Sequence, residues 1–169
     1  MISSLPYKFS VVLLSLVGLW ALLNQTLSLD VLAVGLVPIV LILVLFRSFI
    51  AQLDVPPLWR PRCLWAIFVF GVVFFRALVL STVDVAWRVV HPKLPLRPAI
   101  VVIRLRLRQP GAQLLLANAI TLTPGTLSMD LRGQDLYIHW LDHRDQLDSV
   151  AAKKAIADQF ERCLEAIYA

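Results

Sequence analysis

Charge is scarce in this chain of 169 residues, since Asp, Glu, Lys and Arg make up only 16% of it against 59% hydrophobic residues. An ordinary soluble domain carries roughly a quarter charged residues, so this balance, with a mean hydropathy of +0.78, argues for residence in a bilayer. Cysteine is limited to Cys63 and Cys163, too far apart for a disulfide framework or metal-ligand spacing, and both read as buried packing residues. His91, His139 and His143 share no ligand spacing with each other or with the cysteines, and His139 alternates with apolar neighbours as a solvated strand residue does. The motifs G-x-S-x-G, G-x-x-x-x-G-K-[ST] and H-E-x-x-H are absent, as is any paired-cysteine motif. The expectation is therefore a chain with no catalytic residue, no cofactor-binding residue and no metal ligand, and not an enzyme.

What charge there is lies unevenly. Eight of the eleven acids follow Met129, whereas residues 76–108 carry seven Lys or Arg against the single acid Asp84. A net charge of +5 and a pI near 9.7 suit nucleic acid in a soluble protein. In a membrane protein the same excess follows from positive-inside topology and attraction to anionic lipid, so no nucleic acid is expected.

Three apolar stretches predict helices over about residues 9–29, 31–47 and 63–90. The second is short for a hydrocarbon core of roughly 30 Å and carries Pro38, which reads as a tolerated kink. A brief connector makes the first two an antiparallel hairpin, retained rather than cleaved, with Trp20 at an interfacial edge and Gly18 and Gly35 allowing close approach. Pro56, Pro57 and Pro61 then break the helix, and Arg47, Arg60 and Arg62 mark that loop as cytoplasmic. The third stretch sets two rules against each other. If it crosses, the basic loop before it and the basic region after it lie on opposite sides; if it lies along the interface, both stay inside. The expectation is two spans plus a long membrane-associated third helix.

After His91-Pro92 the pattern changes. VVIRLRLR predicts a half-buried strand over residues 100–108, residues 113–122 a buried helix, and residues 127–131 and 136–141 two strands joined by Arg132-Gly133-Gln134-Asp135. Val150, Ile156, Phe160, Leu164 and Ile167 recur at helical spacing behind Asp148 as N-cap, predicting one closing helix. The expected fold class is a membrane α-helical N-terminal part of two to three helices (residues 1–92) plus a small α+β C-terminal domain (residues 93–169, order β-α-β-β-α) on the cytoplasmic side.

An ion path through a bilayer needs ionisable side chains held within it. Between Lys8 and Arg47 the one charged residue is Asp30, at a helix boundary, so a path built by this chain alone is implausible. Arg76 and Asp84, two turns apart, are the candidates for a membrane charge pair, and Asp84 and Arg88 are also spaced for an i,i+4 pair.

The run LLLANAITLTPGTLSMDL, residues 114–131, resembles the E subunits of the Mrp-type (Mnh or Pha) sodium or potassium/proton antiporters, with I-T-L-T-P-G-T its most specific part. W-A-I at Trp65, Asp84-Val85, His91-Pro92-Lys93, Y-I-H-W-L-D at Tyr137 and Phe160-Glu161 extend the resemblance over nearly the whole chain. It implies an accessory subunit of a multi-subunit monovalent cation/proton antiporter in a bacterial inner membrane, supporting assembly, cation efflux and pH homeostasis. The implied partners are two large proton-channel-like subunits, other small membrane subunits and membrane lipid. Thr121, Thr123, Pro124, Gly125 and Thr126 match the family signature, and their chemistry is that of a turn fixing a helix against a sheet. The competing reading is a membrane-anchored basic module using VVIRLRLR to bind anionic lipid or nucleic acid.

Overall fold

The computed structural model of the chain describes residues 5–142 and 149–168. It divides into two compact units, Met1–Val55 and Pro56–Ala169.

The first unit is helical. Helices α1 (Leu5–Asn24) and α2 (Leu29–Leu45) form the expected hairpin, followed by a short helix α3 (Arg47–Gln52). In hydrocarbon, backbone N–H and C=O groups must be satisfied within their own segment, which apolar helices achieve apart from the donor that a proline removes. α2 continues through Pro38. The turn between them opens at Gln25, a non-glycine residue at φ +53°. The close approach comes from Gly35 alone of the two glycines considered. A Cβ there would collide with the indole ring of Trp20, whereas nothing comes within 4 Å of one on Gly18. Trp20 thus packs on Gly35 and donates its indole N–H to the Val31 carbonyl (2.9 Å). α3 was not expected. It supplies the Ala51 carbonyl that accepts from the buried Lys8 ammonium at 2.8 Å.

The second unit opens with α4 (Pro61–Val90), which starts on a proline at its first position and stops where Pro92 follows an extended His91. Then come β1 (Ala99–Arg104), α5 (Pro110–Leu122), β2 (Thr126–Arg132), β3 (Asp135–Trp140), α6 (Ser149–Ile156) and α7 (Asp158–Tyr168). The strands form one antiparallel sheet in the order β1-β3-β2, with Ala99 opposite Trp140 and Thr126 also opposite Trp140. Gly133, at φ +64°, makes the β2–β3 turn, and β2 bulges between Ser128 and Asp130. The order β-α-β-β-α holds, with two differences. The closing helix is two helices, parted at Ala157, so that Ala152 and Ile156 of α6 and Phe160 and Leu164 of α7 all reach the core. Its expected cap, Asp148, lies outside the described residues. β1 ends at Arg104 instead of residue 108, because the N–H groups of Arg106 and Leu107 turn to the Glu161 carboxylate.

Alternation fills the core from the sheet. Val101, Ile103, Leu136 and Ile138 point in and meet Leu116 and Ile120 of α5 and Phe160, Leu164 and Ile167 of α7. α4 belongs to this core. Cys63 and Ala66 are buried in it, and Phe70 and Phe74 lie against Phe160 with ring centroids 6.2 and 6.4 Å apart. Near the other end of α7 the Cys63 thiol approaches the Ile167 carbonyl at 3.5 Å, so α4 and α7 run antiparallel.

Candidate functional site

The signature turn and the charged end of α4 meet at one place. A cleft of about 320 Å³ lies between the second half of α4, the turn, the end of β3 and the α6–α7 junction, with Asp84, Arg88, Thr123, Gly125, Asp142 and Phe160 on its walls.

Each polar side chain of the turn is committed locally. α5 ends because Pro124 has no N–H to continue it and pushes Thr123 to extended geometry (ψ 121°). The hydroxyls of Thr123 and Thr126 both donate to the Ile120 carbonyl, at 2.8 and 2.7 Å, which also accepts the Thr123 N–H at 3.2 Å. Thr121 accepts from the Ser128 N–H (3.1 Å), and the Ser128 hydroxyl returns to the Ala117 carbonyl (2.9 Å), lacing α5 to β2. Gly125, at φ +91°, turns its carbonyl to the Leu141 N–H (2.8 Å). A Cβ on it would sit 3.4 Å from the Val85 methyl of α4.

Opposite the turn, Arg88 is the hub. Its guanidinium meets both carboxylate oxygens of Asp84 (2.7 and 3.1 Å), one of Asp142 (2.8 Å) and the Pro95 carbonyl (2.9 Å). Asp84 therefore pairs with Arg88, its i+4 neighbour, while Arg76 is exposed on the helix. Of the sequence candidates, the cleft gathers Asp84 and the turn residues Thr123 to Thr126. Thr121 is tied to β2, and Arg76 is not among the lining residues.

A second cluster was not foreseen. Glu161 of α7 is 0% exposed; one carboxylate oxygen accepts the Arg106 and Leu107 N–H groups, and the other lies 2.9 Å from the Lys153 ammonium and 3.3 Å from the Arg106 guanidinium. Arg106 also faces Asp158 and Glu165. Buried charge survives when paired and hydrogen-bonded, as here, where it ties α7 and α6 to the end of β1. Glu161 falls outside the apolar repeat of the closing helix, and no local spacing marks a partner 55 positions away. Its place beside Phe160 in the family resemblance was the one available signal.

Chemically both clusters hold elements together. Among the described residues no group of three or more His, Cys, Asp or Glu is placed to hold a metal ion. A helical apolar hairpin followed by a small α+β unit with its polar groups spent on its own backbone is the construction of a component built into a larger membrane assembly. Comparison with known proteins specifies which. A family described as Na+/H+ ion antiporter subunit matches residues 13–167, and the chain belongs to that family. It is 37% identical over 105 residues to the Na(+)/H(+) antiporter E subunit of Alkalihalophilus pseudofirmus, covering 61% of this chain and 65% of that protein, just under two thirds of its length. It is 33% identical over 153 residues to the corresponding E subunit of Bacillus subtilis, covering 88% of this chain and 90% of that protein. Among solved structures, a chain of the membrane-bound sulfane sulfur reductase, an archaeal respiratory membrane complex, superposes with a TM-score of 0.79 at 28% identity, over 95% of this chain and 98% of that one.

Proposed function

We propose that this chain serves as the E subunit of a monovalent cation/proton antiporter, an accessory component that supports assembly and thereby cation efflux and pH homeostasis. The observation that carries this reading is where the charges lie. Asp30, at the start of α2, is the one charged residue between Lys8 and Arg47, so the hairpin offers no carboxylate to relay an ion. In the second unit Asp84, Arg88, Asp142 and Glu161 are bound to one another or to backbone.

The partners in this reading are the large proton-channel-like subunits and the other small subunits, together with membrane lipid. The hairpin α1–α2 anchors the chain in a bacterial inner membrane, and the domain from residue 93 onward faces the cytoplasm, because a translocated domain would place Arg97, Arg104, Arg106 and Arg108 outside, against the positive-inside bias. The T-P-G-T turn is structural in this account. The competing nucleic-acid reading loses its central residue, since Arg106 is engaged by three carboxylates and is not free for phosphate.

Copurification tests the proposal. A tagged copy produced together with the neighbouring genes brings down untagged large subunits if the reading is right; a tagged chain that purifies alone from a membrane containing those subunits overturns it. Sidedness is tested separately by a cysteine at Gln134, which external maleimide leaves unlabelled in intact cells if the domain is cytoplasmic.

A further inference from the structure

Length and apolarity allow α4 to cross a membrane, as they allow α1. Packing argues otherwise. Contacts with the α+β elements run along nearly the whole helix: Cys63 to Ile167, Phe70 and Phe74 to Phe160, Val85 against Gly125, and Arg88 to Asp142. From Cys63 to Arg88 is about 38 Å of helix, more than a hydrocarbon core of about 30 Å. If α4 crossed, the partner helix α7 beside it would enter the hydrocarbon with Asp158, Arg162 and Glu165, all of which meet water or surface ion pairs here. Charged side chains inside a bilayer are held facing protein or a water-filled cavity, whereas Arg162 and Glu165 stand exposed on α7.

The opposite face of α4 is largely apolar, with Thr82 and Arg76 its polar members. Leu64, Phe68, Val72, Phe75, Val79, Val83, Trp87 and Val90 follow one another at three- and four-residue steps and all are exposed, Phe75 at 66%. Trp65 and Trp87 stand towards the two ends, where an amphipathic indole suits the boundary between headgroup and acyl chain. Of the exposed charges on the helix and at its ends, Arg62, Arg76 and Lys93 are basic, and the one acid, Asp84, is exposed too but paired with Arg88. Their aliphatic stems let basic side chains lie over apolar surface while the charged ends reach outward.

We propose that α4 lies flat in the cytoplasmic headgroup plane, its stripe from Leu64 to Val90 sunk among the acyl chains and Arg62, Arg76 and Lys93 against anionic headgroups. The α+β elements then sit on its cytoplasmic side, and α4 is the platform that seats them on the lipid. A basic excess around an apolar stripe, with the one acid paired, favours an anionic leaflet over another protein as the occupant. The orientation rests on the reading that this unit is cytoplasmic.

The test is a depth profile on the full chain in liposomes containing phosphatidylglycerol. Cys63 and Cys163 are replaced by Ala, and single nitroxide labels are placed through Phe68→Cys, Phe75→Cys, Val79→Cys and Val83→Cys, all outward positions whose substitution leaves the core untouched. Accessibility to oxygen against a water-soluble nickel chelate reads the depth. All four labels at one shallow depth, about 5–10 Å below the headgroups, is the expected result. A profile in which Phe75 lies about 10 Å deeper than Phe68 means a crossing helix and overturns the proposal. High nickel access at all four means a face open to water, and oxygen access lost on assembly with the other subunits means a protein occupant; either overturns it. External labelling of Gln134→Cys would sink the cytoplasmic reading alone, since the depth profile is indifferent to side.

Discussion

Phe160→Ala is the substitution that reaches furthest into this architecture. Its ring is 2% exposed and wedged between the sheet core and the rings of Phe70 and Phe74, so it joins α4 to the α+β layer. Burying an aromatic side chain removes about 150–250 Å² from water, and truncating one in a core costs about 3–5 kcal/mol once the cavity is counted. Small domains have about 5–15 kcal/mol in total, so the change takes about a fifth or more of what holds the unit Pro56–Ala169 together. At about 4 °C per kcal/mol for a domain of this size, its melting temperature should fall by about 12–20 °C. Pulse proteolysis of the purified full chain in detergent, across a urea series, measures the loss, and Phe160→Leu should recover about half of it. A loss below about 1 kcal/mol for Phe160→Ala would refute the packing of α4 on α7.

Other outcomes rest on the same contacts. Glu161→Ala takes the acceptor from two N–H groups and leaves the Lys153 ammonium with the Arg104 carbonyl but no counter-charge, and should cost about 3–5 kcal/mol, read by the same proteolysis assay. Gly125→Val forces a β-branched residue to φ +91° against Val85, and copurified complex should drop severalfold while transport per assembled complex stays unchanged. Gly35→Leu drives a side chain into the Trp20 indole and should lower hairpin stability and membrane yield, whereas Gly18→Leu, in open space, should leave both unaltered. Burial pushes the Cys163 thiol above its ordinary range, so less thiolate exists at neutral pH. Maleimide should label Cys163 more slowly than a cysteine at Gln134, with the difference narrowing as pH rises.

How much of this was readable in advance depended on whether the signal was local. The hairpin, the strand alternation around Val101 and Ile103, the glycine turn at Gly133 and the T-P-G-T stop all come from neighbouring residues, and all stand close to where periodicity and turn chemistry put them. The role of α4 was not legible. Cys63, Ala66, Phe70 and Phe74 on one face and Leu64, Phe68, Val72 and Phe75 on the other are equally apolar, so hydropathy cannot say which face meets protein. Glu161 was hidden for a related reason, because its partners come from β1 and α6 and meet it only after the chain folds back. The contact of Trp20 with Gly35 is likewise made only when the hairpin closes. The pairing of Asp84 with Arg88 was within local reach, but the third member, Asp142, required the end of β3 to arrive beside α4.

A chain that supports an antiporter without conducting ions should move none on its own, and reconstitution decides this. The purified full chain is placed in liposomes holding a pH-sensitive dye, a pH gradient is set, and sodium or potassium is added outside, with the complete antiporter complex in parallel liposomes. Dye recovery is expected with the complex, and none above empty liposomes with the chain alone. Cation-dependent recovery by the chain alone would contradict the accessory role.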